Sequence, residues 1–311
     1  MEKNRLVSYS LALGVVLGID FGGTKIAAAV ADRSGGRLRE TTVPTEPARG
    51  ARFNLERGLE AAKSLLEGDP LLAVCACTFG IPSADGVFLA PAIDGWEELA
   101  LGRELAEAFP GVPVRVATDV KAAAEAELRH GALAGHDPAI YLNLGTGLAV
   151  AIVAGGRVVA GANGAAGEIG YSLRRDGGLL EEAVSGTALA RATGGRLTAA
   201  EVFAGSVTDV GLARLVSAFM DELEVHLVNL AVALDPERIV VGGGMTRSWE
   251  RIEGALRRSL KEHVPFEPEL VLGEFPTDAA LVGALALAAD AVSDGAERLH
   301  TIGIDRGRST A

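Results

Sequence analysis

The chain has 311 residues, room for two domains of ordinary size and enough to bury a core without a disulfide or metal staple. Its net charge of −12, from 41 acidic against 29 basic residues, and the lack of any Lys/Arg stripe argue against nucleic-acid binding. Hydrophobic residues make up 49% of the chain, yet Gly, Asp or Arg breaks every apolar stretch. The longest, residues 281–289, falls far short of the roughly 20 residues a membrane span needs.

The opening MEKNRLVSYS is charged and leads into no long apolar signal region, so a frayed tail over 1–13 and a cytoplasmic location are expected. LGVVLGID then reads as a buried strand, FGGT as a turn and KIAAAVAD as a second strand. A Gly turn at 34–36 leads to a third, RLRETTVP. Residues 54–66 have helical periodicity and stop before Gly68. LLAVCACTFG is an apolar strand that puts the two cysteines, Cys75 and Cys77, on one face. As small hydrophobes in a reducing compartment they are expected to be buried and inert. After the loop IPSADGVFLAPAIDGW come a helix over 97–108 and the strand VPVRVAT. That strand delivers Asp119 to a helix over 121–130. The five histidines show no paired spacing.

The second half repeats the opening pattern: AIYLNL, GTG, LAVAIVA, GGR and VVAG read strand, turn, strand, turn, strand. A loop with GAAGEIGY follows, then helices within 180–193 and over 212–234. RIVVGGG is expected to close the sheet, LVGALALAADAVS to form a last amphipathic helix, and 294–311 to be a loose tail. Alternating strands and helices mean an α/β layer architecture, and two halves that open alike suggest a duplication.

The glycine turns exclude two common nucleotide folds. No Gly-Lys dipeptide exists for a Walker loop. IVVGGGMTR breaks the dinucleotide GxGxxG spacing at Arg247, and the turns at Gly22 and Gly145 join strand to strand, not strand to helix. Glycine at such a turn lets backbone N–H groups approach phosphate oxygens. A single Gly hairpin is usually only a tight turn; three in order are more informative.

GIDFGGTK (18–25), NLGTG (143–147) and IVVGGGM (239–245) are spaced as in the actin, hexokinase and acetate-kinase superfamily, and over about 18–289 the chain resembles its ROK sugar kinases. The resemblance implies an α/β, two-domain actin-like (ribonuclease H-like) ATPase fold with a central cleft that closes around its ligands. The expected small domain spans 14–118 plus 278–293, and the large one 119–277. Asp20 would hold Mg²⁺-bound phosphates through water. Gly22, Gly23, Thr24 and Lys25, with Gly145, Thr146 and Gly147, would bind the phosphates of ATP, and Gly242, Gly243 and Gly244 the adenosine. Asp119 would be the catalytic base, although Asp at a helix start is by itself more often a cap. Ser83, Thr118, Asp119, Glu168, Tyr171 and Glu181 match the sugar-binding positions. The implied partners are a hexose and ATP, in a homodimer without nucleic acid or membrane.

The chain departs from the family pattern in four places. Thr118 stands where the family has Asn, Ser83 where it has Gly, and Tyr171 where many members have His. RRDGGLLEE replaces the Cys-rich segment that completes their structural zinc site, so no zinc is expected. The altered polar groups leave the substrate open between plain glucose and a modified hexose, such as kanosamine or an N-acetylhexosamine. About 17 residues precede the first phosphate strand, so the helix-turn-helix of a ROK repressor is not expected. A catalytically silent sugar-binding protein is disfavoured by intact Asp20, Asp119 and glycine turns.

Overall fold

The structure, a computed structural model, describes residues 14–293, 300 and 301. The tails expected over 1–13 and 294–311 lie outside the described residues except for 300 and 301. In chain order the elements are β1 (Val15–Phe21), β2 (Lys25–Ala31), β3 (Arg37–Pro44), α1 (Gly50–Ser64) and β4 (Leu71–Thr78). Then come the short β5 (Ile81–Pro82) and β6 (Val87–Phe88), α2 (Leu101–Ala108), β7 (Val114–Thr118) and α3 (Asp119–His130). Next are β8 (Ala139–Leu144), β9 (Leu148–Val153), α4 (Gly186–Ala192), α5 (Ala199–Gly205) and α6 (Val210–Leu234). The chain ends with β10 (Arg238–Gly242), α7 (Trp249–His263), β11 (Glu269–Leu272), α8 (Ala279–Ser293) and β12 (His300–Thr301). Contacts divide it into two units. The first runs through Ala126, takes in residues 160–166 and resumes at Asp278; the second holds Glu127–Val159 and Gly167–Thr277.

The first unit's sheet has the order β12-β7-β4-β1-β2-β3. The hairpins β1–β2 and β2–β3 are antiparallel, while β1, β4 and β7 run parallel. Both faces of β1 and β4 are covered, which is why their sequences are nearly unbroken runs of Val, Ile, Leu, Ala and Cys rather than alternations. One face packs on α1 and α2 through Leu17, Ile19, Leu55 and Leu105. The other packs on α8 through Val16, Cys75, Cys77, Ala284 and Leu285. On the first face Trp96 stacks on Phe79 at 5.3 Å and tilts against Phe21 at 5.5 Å. Its indole N–H donates to the buried Thr78 hydroxyl at 2.9 Å, giving the only polar atom of the side chain a partner.

The second unit's sheet has the order β11-β10-β8-β9, with β8–β9 antiparallel and β8, β10 and β11 parallel. Each unit therefore opens with an antiparallel hairpin and extends its sheet with parallel strands, the pattern that the repeated strand–turn–strand reading anticipated.

Several boundaries differ from the sequence reading. RIVVG does not close its sheet, because β11 pairs beyond it. VVAG forms no strand; Val158 makes a single bridge to Val153, and the chain then enters the Gly-rich loop 160–166. Helix α1 begins at Gly50, four residues early, because the buried side chain of Asn54 turns back to bond Gly50 and Glu46. Helix α2 starts only at Leu101, since Glu97 is used to bind the amides of Val87 and Ala90. Helices α5 and α7 were not anticipated, although both had signals. Thr198 and Glu201 form a capping box before α5, and Ile252, Leu256 and Leu260 line one face of α7.

Among the described residues no single helix is long and apolar enough to cross a membrane. The most apolar, α8, buries small residues against its neighbours. A Cβ at Gly283 would lie 1.7 Å from the carbonyl oxygen of Ala122, so only glycine lets α8 approach α3 this closely. Replacing Gly283 by alanine should destabilise the protein by about 1–3 kcal/mol, the usual cost of overpacking. Thermal denaturation followed by circular dichroism checks this, and an unchanged midpoint would show that α8 can shift off α3.

Candidate active site

Parallel strands bring their carboxyl ends to one edge of a sheet, where α/β folds place their chemistry. In the first unit β1, β4 and β7 end together: Asp20 is opposite Cys77, and Thr78 opposite Thr118. Asp20, next to last in β1, is half-buried. The Cys77 thiol lies 3.5 Å from its Oδ1. Burial, and secondly the charge of Asp119, push the Asp20 carboxyl up to about 7, against the smaller lowering effects of Cys77 and Lys25. Both thiols are fully buried. Burial raises Cys75 to about 12 and Cys77 well above the ordinary thiol value, so neither is a nucleophile.

At the end of β7 the helix starts with Asp119, not Lys121. The cap is Thr118: its hydroxyl, buried at 3% exposure, accepts the Lys121 amide at 3.2 Å. Asp119 is half-buried in the first turn, where the helix dipole favours a carboxylate, and its Oδ1 accepts the Val120 amide at 2.8 Å. Ser83 is tied up locally, donating to the Gly86 carbonyl at 3.0 Å and accepting the Gly86 amide at 3.1 Å. The turn from β1 to β2 is closed by Gly22 N–H to the Lys25 carbonyl at 3.0 Å, with Thr45 bonded to Gly22 and Thr24. Gly23, Thr24 and Lys25 are exposed, and a Cβ at Gly23 would meet nothing within 4 Å.

The second unit holds the other glycine turns. The carbonyls of Gly145 and Thr146 accept the Gly186 and Thr187 amides at 2.8 and 3.2 Å, so the start of α4 braces that turn. Glu181 Oε2 accepts the Leu148 amide at 2.7 Å and lies 2.7 Å from where a Cβ on Gly147 would sit. The segment holding Glu168 and Tyr171 is pinned to β9 by the Val150 amide, which donates to Gly167 at 2.8 Å. Glu168 is half-buried and Tyr171 is 47% exposed. In the third turn, a Cβ on Gly242 would sit 2.0 Å from the Tyr141 hydroxyl. Gly243, at φ +90°, would bring one 2.4 Å from the Leu144 carbonyl. Packing on β8 thus already requires these two glycines; Gly244 faces open space.

Two buried charged residues escaped the sequence reading. Glu127, fully buried, accepts the Ala132 and Phe275 amides at 2.8 and 3.0 Å. Lys121, 4% exposed, donates to Gly164. Neither motif nor charge pattern marks a charged residue as buried. Among the described residues no group of three or more His, Cys, Asp and Glu is arranged to hold a metal ion.

Paired α/β units, each opening with a hairpin whose glycine turn leads to parallel strands, define an actin-like, hexokinase-type fold. The chain belongs to the ROK family, whose model matches residues 16–291. It is 31% identical over 318 aligned positions to a glucokinase of Streptomyces coelicolor, covering 89% of this chain and 98% of that protein. A ROK hexokinase from Thermus thermophilus has a similar structure, with TM-score 0.74, 32% identity, 90% of this chain and all of the other covered. A ROK glucokinase from Streptomyces griseus, crystallised with glucose and AMPPNP, gives 0.75 at 28% identity, with 89% of this chain and 100% of that one covered.

The Asp20 carboxyl has an ordinary value of 3.8 and holds its proton to about 7 in the folded chain. Between those values the folded state binds the extra proton, so stability falls as pH rises through that window. In chelator-treated protein, Asp20→Asn should raise the melting temperature at pH 8, and the gain should shrink as pH falls toward 4. A variant no more stable than wild type at pH 8 would show that Asp20 is not strained by burial.

Proposed function

We propose that this protein is an ATP-dependent sugar kinase that transfers the γ-phosphoryl group to the 6-hydroxyl of a hexose, with Asp119 as general base. The observation that carries this assignment is the division of labour at the end of β7. Thr118 caps α3, so Asp119 is not required as a cap, yet it stands close enough to Asp20 for the two charges to repel. Like charges held together cost stability, and active sites are where such costs concentrate. The similarity to glucokinases over nearly the whole chain supports the same assignment.

In this mechanism Asp119 takes the proton of the sugar hydroxyl as its oxygen bonds to the γ-phosphorus, while the bond to the leaving ADP breaks. Glu168 and Glu181 accept hydrogen bonds from other ring hydroxyls and orient the sugar. The exposed amides around Gly23 and the turns at Gly145–Gly147 and Gly242–Gly244 receive the nucleotide, with Lys25 offsetting part of its charge. Magnesium fits Asp20, which burial and Asp119 leave short of positive charge, and when bound through water it would neutralise phosphate oxygens. No zinc is required, since the segment Arg174–Glu182 contains no cysteine.

Asp119→Asn keeps the size of the side chain but removes the proton acceptor. Its kcat should fall about 10²–10⁴-fold, while sugar affinity changes much less. Sugar-dependent ADP release measures this. A variant that keeps wild-type kcat would leave Asp119 a structural residue, and a wild type that releases no ADP with any sugar would make the protein a binding member of the family.

A second substrate reading, a modified hexose such as an amino or N-acetyl sugar, is favoured by Thr118 and Tyr171. Asn at 118 would also cap α3, so Thr118→Asn changes the polar group while sparing the helix. Alone or with Tyr171→His, it should raise kcat/KM for glucose relative to the best substrate, because site groups discriminate by which ligand leaves them unpaired. A panel of sugars decides. Wild-type preference for glucose by more than about tenfold, a gap of 1.4 kcal/mol, would sink the modified-hexose reading.

A further inference from the structure

Lysine is almost never buried unless its charge is matched, and the mechanism above makes no use of Lys121. It follows Asp119 by two residues on α3, is 4% exposed, and its Nζ donates to the Gly164 carbonyl at 2.9 Å. Gly164 is itself buried, within the loop 160–166, whose ends are joined by the Ala166 amide and the Ala160 carbonyl at 3.1 Å. Six of the seven residues of this loop, AGANGAA, are Gly or Ala. Such a sequence supplies little side-chain packing of its own and leaves the backbone floppy unless something outside holds it. The loop groups with the unit that contains Lys121, whereas the residues on both sides of it belong to the other unit. It runs directly into Gly167 and Glu168.

We propose that Lys121 is a positioning residue for the sugar site. Its ammonium holds the loop by the Gly164 carbonyl, so that the chain leading into Glu168 is ordered. A hydrogen bond from a charged donor is roughly twice as strong as a neutral one, which suits a contact that helps to order a loop of mostly Gly and Ala. The role rests on the sugar-kinase assignment of Glu168. A lysine that only filled space would, when replaced, lower stability without altering sugar binding selectively.

The test compares Lys121→Met, which keeps the stem and removes the charge, with Lys121→Arg, which restores a cation. Two readouts are taken: KM for sugar and for ATP, and hydrogen exchange of the peptide spanning 160–168 without ligands. For Lys121→Met the sugar KM should rise about tenfold or more, the scale of a lost hydrogen bond to a charged group. The ATP KM should stay within about twofold, since uniform damage would move both. Exchange over 160–168 should quicken while peptides of β1 and α8 stay unchanged, and Lys121→Arg should recover part of both effects. Should the methionine variant fail to fold, Lys121→Gln, with a neutral donor on a shorter stem, is judged by the same readouts. Unchanged exchange over 160–168, or sugar and ATP KM rising together, overturns the proposal. If wild type phosphorylates no sugar, the function assignment falls and takes the role of Glu168 with it; the exchange measurement still decides whether Lys121 holds the loop.

Discussion

Two carboxylates at the same edge of one sheet, Asp20 near the end of β1 and Asp119 after β7, repel each other, and much of the first unit serves to hold them there. Parallel pairing of β1, β4 and β7 sets their spacing. Strands in such a sheet lie about 4.8 Å apart, so ends separated by one intervening strand stand roughly 10 Å apart at their backbones. Burial makes the repulsion matter, because little water is present to screen it. A cation would relieve such a strain, and this is the electrostatic basis of the phosphoryl transfer proposed above.

Holding charges in place requires rigid surroundings, and the chain obtains rigidity by close packing of small residues. Alanines on α8 and glycines at Gly18 and Gly283 let that helix lie almost backbone to backbone against β1 and α3. On the opposite face the cluster of Phe21, Phe79 and Trp96 fills the space beneath the strand ends and is locked by the Trp96–Thr78 hydrogen bond. A layer of small side chains on one face and large aromatic ones on the other leaves the sheet edge little freedom to relax.

In the second unit the same economy joins functions that the sequence keeps apart. Glu181 lies 34 residues after Gly147 in the chain, yet its carboxylate bonds the amide next to that glycine. A residue expected to face the sugar is thereby linked to a turn expected to face phosphate. The third turn shows the reverse caution. Gly242 and Gly243 are required by Tyr141 and Leu144 regardless of any nucleotide, so a glycine motif can be satisfied by packing alone.

The sequence by itself determined the elements whose cause is local. Strand runs buried on both faces, hairpins closed by glycine, and the order of the three turns were all legible, and with them the family and the positions of Asp20 and Asp119. The capping box at Thr198 and the apolar face of α7 were legible too, because their signals lie within one turn of helix. What depends on contacts far apart in the chain was not. That Thr118 rather than Asp119 caps α3 follows from where β7 stops, which its pairing with β4 decides. VVAG reads as a strand by composition, but a strand needs a partner with free backbone groups, and only the folded sheet determines whether one is offered. Lys121 and Glu127 look like surface charges on a helix. Their burial, and the loop and backbone amides they bind, arise from long-range packing, since whether a charge is buried is a property of its surroundings and not of the residue.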